Sequence, residues 1–170
     1  MNLRIEPFDH HDVTSFDCGN ESLDRWLRTA AANSAGHGTR VFLLVDHDHP
    51  AAVRVLGYFA VAPHYVVRTE VGRRIARGAP ERIPAILLAK LALDRTVQRQ
   101  GLGTELLLSA LSLMVDAARR AGGRLILVDA IDDDAVGFYR HHDFEALPSD
   151  PRRLVIRIST VASALDLPWP

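Results

Sequence analysis

Lysine is nearly missing from this chain. Of the twenty basic residues among its 170, nineteen are arginine and Lys90 is the only lysine. Cysteine is equally scarce: Cys18 stands alone, so no internal disulfide can form, which fits a reducing, cytoplasmic setting. Long apolar runs are absent as well. No stretch approaches the ~20 residues needed to span a bilayer. The opening Met1-Asn2-Leu3-Arg4-Ile5-Glu6 lacks the unbroken apolar core of a signal peptide, so neither membrane insertion nor export is expected. There are no repeats, low-complexity tracts or linkers, and the length suffices for one substantial core. The expectation is a single domain over residues 1–170.

What is present is an ordinary globular composition, 48% apolar and 24% charged, with a formal charge of −1. The charge is uneven. Between Val66 and Gln100, eight basic residues (Arg68, Arg73, Arg74, Arg77, Arg82, Lys90, Arg95, Arg99) stand against Glu70, Glu81 and Asp94, a net +5 that leaves −6 elsewhere. Such a stretch indicates either an anionic partner at one face or a solvated arginine-rich surface. The clusters His10-His11-Asp12, His47-Asp48-His49 and His141-His142-Asp143 lack metal-ligand spacing and read as surface polar groups, so no metal site is expected.

Along the chain, Leu3 to Phe8 reads as a short strand. Asn20 is placed to cap a helix carrying Leu23, Trp26, Leu27 and Ala30, which should run to about Asn33, with Gly36 and Gly38 ending it. Thr39 to Asp46 and Val53 to Ala62 read as an antiparallel pair joined through Asp46-His47-Asp48-His49-Pro50. Pro63 to Arg82 is irregular, with a possible short helix at Val71 to Ala76. Ile86 to Leu93 is apolar almost throughout, as in a central strand. A five-turn amphipathic helix follows from Leu102, marked by Leu106, Leu107, Ala110, Leu113, Met114, Ala117 and Ala121, and Gly122-Gly123 closes it. Arg124 to Ala130 completes a parallel crossover. Asp132-Asp133-Asp134 starts a shorter helix, Leu154 to Ile158 is a last strand, and the tail to Pro170 has no clear pattern.

Between the Ile86–Leu93 strand and the long helix lies Val97-Gln98-Arg99-Gln100-Gly101-Leu102-Gly103-Thr104. Glycines free the backbone to approach a ligand. The first helical turn offers unpaired N–H groups and the positive end of the dipole, which together suit phosphate. The loop lacks the Gly-Lys-Ser/Thr ending of a nucleoside triphosphate P-loop and the third glycine of the dinucleotide fingerprint. Arg99 adds a cation beside the amides, which suits a pyrophosphate.

Gln98-x-x-Gly101-x-Gly103, the long helix, the next strand, and then Phe138-Tyr139 followed by Phe144 together resemble the GNAT superfamily of N-acetyltransferases. Asp143 stands where that pattern usually has glycine. A narrower resemblance is to GNAT toxins paired with ribbon-helix-helix antitoxins. It is carried by Phe16-Asp17-Cys18-Gly19-Asn20-Glu21-Ser22-Leu23-Asp24-Arg25-Trp26-Leu27, Gly57-Tyr58-Phe59-Ala60-Val61, Leu88 to Asp94, Leu127 to Asp132 and Asp150-Pro151-Arg152-Arg153-Leu154.

The resemblance implies an α/β GNAT fold: a central mixed, twisted sheet of six to seven strands flanked by about four helices and splayed at the acetyl-CoA site. It implies acetyl-CoA held by Leu91, Ala92, Leu93, Gln98, Arg99, Gln100, Gly101, Leu102, Gly103, Thr104 and Phe138, with Tyr139 as general acid. It further implies transfer to the α-amino group of aminoacyl-tRNA, which blocks translation, together with an antitoxin partner and a homodimer. Arg40, Arg73, Arg74, Arg77, Lys90 and Arg95 are the candidates for tRNA phosphates. No glutamate lies in the Ile86–Leu93 strand to act as base. A lysine amine of pKa ~10.4 is under ~0.2% neutral at pH 7.5, whereas an α-amine of pKa ~7.7–8.0 is roughly a quarter to two-fifths neutral. The missing carboxylate therefore favours an α-amine, unless water relays protons to Asp94 or a backbone carbonyl. A small-molecule or protein N-terminal acetyltransferase, or a CoA-binding protein without activity, are the other readings.

Overall fold

The computed structural model describes residues Met1–Pro170. Seven strands form one mixed sheet: β1 (Leu3–Pro7), β2 (Arg40–Asp46), β3 (Arg54–Val67), β4 (Arg82–Leu93), β5 (Leu125–Asp129), β6 (Glu145–Leu147) and β7 (Asp150–Arg157), hydrogen-bonded in the order β1-β2-β3-β4-β5-β7-β6. The helices are α1 (Glu21–Thr29), α2 (Arg73–Ala76), α3 (Leu102–Ala121), α4 (Asp133–His141) and α5 (Ile158–Ala164). The chain divides into two compact units, Met1–Ala62 with Ala89–Ala110 and Pro63–Leu88 with Leu111–Pro170.

In the first unit β2 is the middle of an antiparallel set, with Ile5 opposite Leu44 and Leu44 opposite Gly57. Asn20 caps α1, its side chain accepting from Leu23 N–H at 3.1 Å. The α-helix stops at Thr29 and continues as a 3-10 helix, Ala31–His37, which ends on Gly38 at φ 88°. That is the left-handed conformation glycine adopts freely. Leu23 and Leu27 of α1 pack with Phe16, Leu43, Val45 and Tyr58, and the Tyr58 hydroxyl donates to Leu23 C=O at 2.8 Å. Gly57 on β3 is required by close approach. A Cβ there would meet Leu93 Cδ2 at 2.9 Å and the Ala92 carbonyl oxygen at 3.0 Å.

In the second unit β5 pairs parallel with β4 and antiparallel with β7, as the crossover predicts. The β4–β5 ladder runs from Ala85 to Leu88, whereas β4 itself continues to Leu93. Val66, Ile75, Ile83, Leu125, Leu127 and Val155 form this unit's core.

Four expectations change. β3 runs through Pro63 to Val67, and β4 begins at Arg82 and so includes Pro84. Both prolines are exposed, and each lies toward one end of its strand. The buried stripe of α3 keeps Leu102, Leu106, Leu107, Ala110 and Met114 and adds Leu111, Val115 and Ala118, whereas Leu113 and Ala117 are half-buried and Ala121 is exposed. The last strand ends at Arg157, so Ile158 opens α5 rather than extending β7. That helix makes five in place of about four.

Candidate active site

Strand β4 delivers the chain through a short 3-10 turn, Arg95–Val97, to the loop before α3. Two loop residues take the left-handed conformation, Arg99 at φ 60° and Gly101 at φ 84°. Gly103 lies inside α3, so the conformational demand falls on Arg99 and Gly101 rather than on the two glycines. Helix α3 starts its backbone ladder with Glu105 N–H donating to Gly101 C=O at 3.3 Å. The N–H groups of Arg99, Gln100, Gly101, Leu102 and Gly103 donate to no group of the protein. Successive donors of this kind on an exposed loop at the head of a 20-residue helix form an anion-binding nest. Arg99 is exposed and carries no ion pair, so its charge is available beside the nest.

Gln98 departs from expectation. Its Nε2 donates to Leu93 C=O and to Cys18 C=O, both at 2.8 Å. An amide nitrogen has two N–H groups, so its donors are consumed within the protein. Gln100 Nε2 reaches back toward Thr96 C=O at 3.5 Å. Asp94, weighed above as a proton relay, is buried and occupied. Its carboxylate accepts from Asp17 N–H at 3.1 Å, Thr96 N–H at 3.0 Å and Thr96 Oγ1 at 2.7 Å, with Arg54 at 3.7 Å. Burial alone would raise its pKa, but these donors and Arg54 outweigh it and hold the carboxyl below its usual range. Asp94 therefore braces the turn as an anion. Asp17 and Gly57 both lie in stretches that carry the toxin resemblance, and here they take structural roles at this end of the unit that the motifs alone do not state.

Tyr139 lies on α4, which Asp132 caps by accepting from Ala135 N–H at 2.8 Å. The tyrosine is only 6% exposed, and burial pushes its phenol above the usual range. Its ring meets Phe138 and Phe144 edge-on at 5.3 and 5.5 Å. Its hydroxyl has no protein partner, yet no buried side-chain oxygen is left unsatisfied, so the hydroxyl keeps an opening to solvent. Asp143 sits at φ 69°, with its N–H on Arg140 C=O and Phe144 N–H on Tyr139 C=O. This is the helix stop that normally favours glycine, here made with a residue that tolerates the left-handed region. The departure from the family pattern leaves the tyrosine's turn intact.

The basic candidates separate into free and committed groups. Arg74 pairs with Glu145, and its C=O accepts from Arg157. Arg95 Nε meets Asp17 Oδ1 at 3.0 Å, and Arg40 donates to Ala35 C=O at 3.2 Å. Lys90 Nζ stands 5.5 Å over the Trp26 ring. Arg73 and Arg77 carry no ion pair. With Arg68, Arg74 and Ala76 they line a concavity of about 460 Å³ that contains no carboxylate. His11 and His47, from two of the histidine clusters, flank Glu6, with His11 Nε2 at 2.9 Å.

The pattern of the acetyltransferase (GNAT) family matches residues 54–144. A tRNA-acetylating toxin of Mycobacterium tuberculosis is 42% identical over 149 residues, 87% of each chain. The crystal structure of a tyrosine-to-phenylalanine variant of KacT superposes with a TM-score of 0.88 at 25% identity, covering 96% of this chain and 99% of that one. A similar variant of the AtaT toxin, bound to the C-terminus of the antitoxin AtaR and to acetyl-CoA, gives 0.83 at 25% identity over 97% and 99%. No helix here is long and apolar enough to cross a membrane. The chain belongs to the acetyltransferase (GNAT) family.

Proposed function

We propose that this protein is a toxin of the translation machinery, transferring acetyl from acetyl-CoA to the α-amino group of aminoacyl-tRNA. The nest of five unpartnered N–H groups from Arg99 to Gly103 carries the donor half of this reading. The 42% identical tRNA-acetylating toxin supports the acceptor half. The whole chain acts as one acetyltransferase domain in the cytoplasm.

Acetyl-CoA supplies the acetyl group already activated as a thioester. The amides of Arg99 to Gly103, the exposed Arg99 and the start of α3 hold its pyrophosphate. Backbone groups at Leu91, Ala92 and Leu93, where β4 has passed the end of its ladder with β5, lie along the pantetheine, and an N–H there polarises the thioester carbonyl. Phe138 packs against Tyr139 and holds its ring. As the amine nitrogen bonds to the carbonyl carbon and the C–S bond breaks, the Tyr139 phenol gives its proton to the departing sulfur. Water takes the proton that the nitrogen sheds on acylation and passes one back to the Tyr139 phenolate, which restores the acid. Because burial raises the phenol's pKa, the acid stays protonated around pH 8, where an α-amine becomes neutral.

β4 carries no carboxylate, and Asp94 just after it is held as an anion by three hydrogen bonds, so the reading calls for an acceptor that brings a substantially neutral amine. An α-amine does so near neutral pH and a lysine does not. Arg73 and Arg77, in a concavity free of carboxylates, bind tRNA phosphates, and the committed Arg40, Arg74, Lys90 and Arg95 support them. A ribbon-helix-helix antitoxin and a homodimer complete the assembly.

The test is product analysis after incubation with acetyl-CoA and a pool of charged tRNAs. Nuclease digestion should release acetyl-aminoacyl-adenosine, seen by mass spectrometry. Acetylation of metabolite amines or protein N-termini with charged tRNA untouched would replace this reading with the small-molecule or N-terminal one. Tight CoA binding with no transfer to any amine would leave a binding protein.

A further inference from the structure

The segment Phe16 to Asn20 lies outside the region matched by the family pattern, which begins at residue 54. Yet it is tied to the turn that feeds the donor loop by bonds spanning 77 to 80 positions of sequence. Asp17 N–H donates to Asp94 Oδ2 at 3.1 Å, and Arg95 N–H donates to Asp17 C=O at 2.8 Å. Arg95 Nε donates to Asp17 Oδ1 at 3.0 Å, an oxygen that also accepts from Gly19 N–H at 2.9 Å. Gln98 Nε2 reaches Cys18 C=O and Leu93 C=O together. On its other side the segment is anchored to α1, where the buried Asp24 accepts from Cys18 N–H at 2.9 Å. Gly19, at φ 90°, lets the strap turn beneath Arg95, whose Nε would lie 3.5 Å from a Cβ there.

The loop needs such support. Arg99 is a non-glycine residue held at φ 60°, a conformation that persists only where its surroundings impose it. The residue just before it is Gln98, whose side chain is pinned at two carbonyls. An anion nest works only if its N–H groups already converge before the ligand arrives, because ordering a loop on binding costs affinity. We propose that the Asp17–Cys18 strap, with Gln98 as its latch, is a positioning element that fixes the donor loop for the pyrophosphate of acetyl-CoA. Gln98 therefore acts on the donor through the protein and does not touch it, and the amino-terminal segment is part of the donor site. The proposal rests on the acetyl-CoA reading above.

The latch predicts a loss confined to donors that carry the pyrophosphate. Gln98→Met keeps the bulk of an exposed side chain and removes both bonds. Asp17→Ala removes the strap's carboxylate, and Asp17→Asn keeps an oxygen able to accept from Arg95 and Gly19. Calorimetry should show Gln98→Met and Asp17→Ala binding CoA ~10-fold more weakly, with Asp17→Asn close to the unaltered protein. Their kcat/KM should fall by a similar factor with acetyl-CoA and stay within about twofold with S-acetyl-pantetheine, which lacks the pyrophosphate. Equal losses with both donors, or CoA binding unchanged in Gln98→Met, would overturn the strap's role. No CoA binding by the unaltered protein would overturn the donor reading itself, and the strap's role with it.

Discussion

The donor loop and the arginine stretch both serve anions, but they recruit charge differently. From Arg99 to Gly103 the binding groups are backbone N–H donors, and what makes them available is conformation: two left-handed residues and the start of a long helix. Between Arg68 and Arg95 the binding groups are guanidinium side chains, and several are already engaged inside the protein. Arg74 has Glu145 and Arg95 has Asp17, so the number of arginines overstates the charge free to meet a partner. A backbone site is defined by geometry, whereas a side-chain site is defined by which charges remain unpaired.

The largest expected effect lies on the donor side. Tyr139→Phe keeps the ring and its contacts with Phe138 and Phe144 and removes only the proton. Steady-state kinetics should show kcat falling by roughly 10²- to 10⁴-fold, with an unchanged melting midpoint. Gly101→Ala tests the nest. At φ 84° an L-residue costs about 1–2 kcal/mol, so CoA affinity measured by calorimetry should weaken by roughly tenfold, although open space surrounds the position. The arginine side gives smaller and salt-dependent effects. The double change Arg73→Ala with Arg77→Ala should flatten the plot of log affinity for charged tRNA against log salt by about two units of slope. Arg74→Ala and Arg95→Ala should each flatten it by clearly less than one. If all four arginines count alike, the distinction between free and committed charge fails.

The same contrast explains what the sequence made legible. Helix α3 begins at Leu102 because a polar glycine loop gives way there to apolar residues at helical spacing, and Gly122 ends it where predicted. Asn20 and Asp132 announced their helices because a cap is a local interaction over three residues. Pro63 and Pro84 misled because a proline in a strand is harmful only where its missing N–H is needed, and that depends on the neighbouring strand. Helix α5 was invisible because Ser159, Thr160 and Val161 are indifferent helix formers, and burial of Ile158, Val161 and Ala162 stabilises it. The bonds of Gln98 to Cys18 and Leu93 are not legible in the sequence, because those partners are brought to it only by the fold. The arginines were read as one patch because no local pattern announces that Glu145 will meet Arg74.

In the proposed reaction the substrate brings a neutral α-amine and Tyr139 brings the proton. Its most direct test is the pH dependence of kcat/KM for a charged tRNA from pH 6 to 10, measured in single turnovers to outrun ester hydrolysis. A phenol raised above its usual range stays protonated across this interval, so it contributes no falling limb. The expected profile is a single rise with a midpoint at about 7.7–8.0, the α-amine's own value, followed by a plateau. A rise centred below pH 6.5 would reveal a base in the protein, and a fall before pH 9 would reveal an acid other than Tyr139; either result contradicts the mechanism.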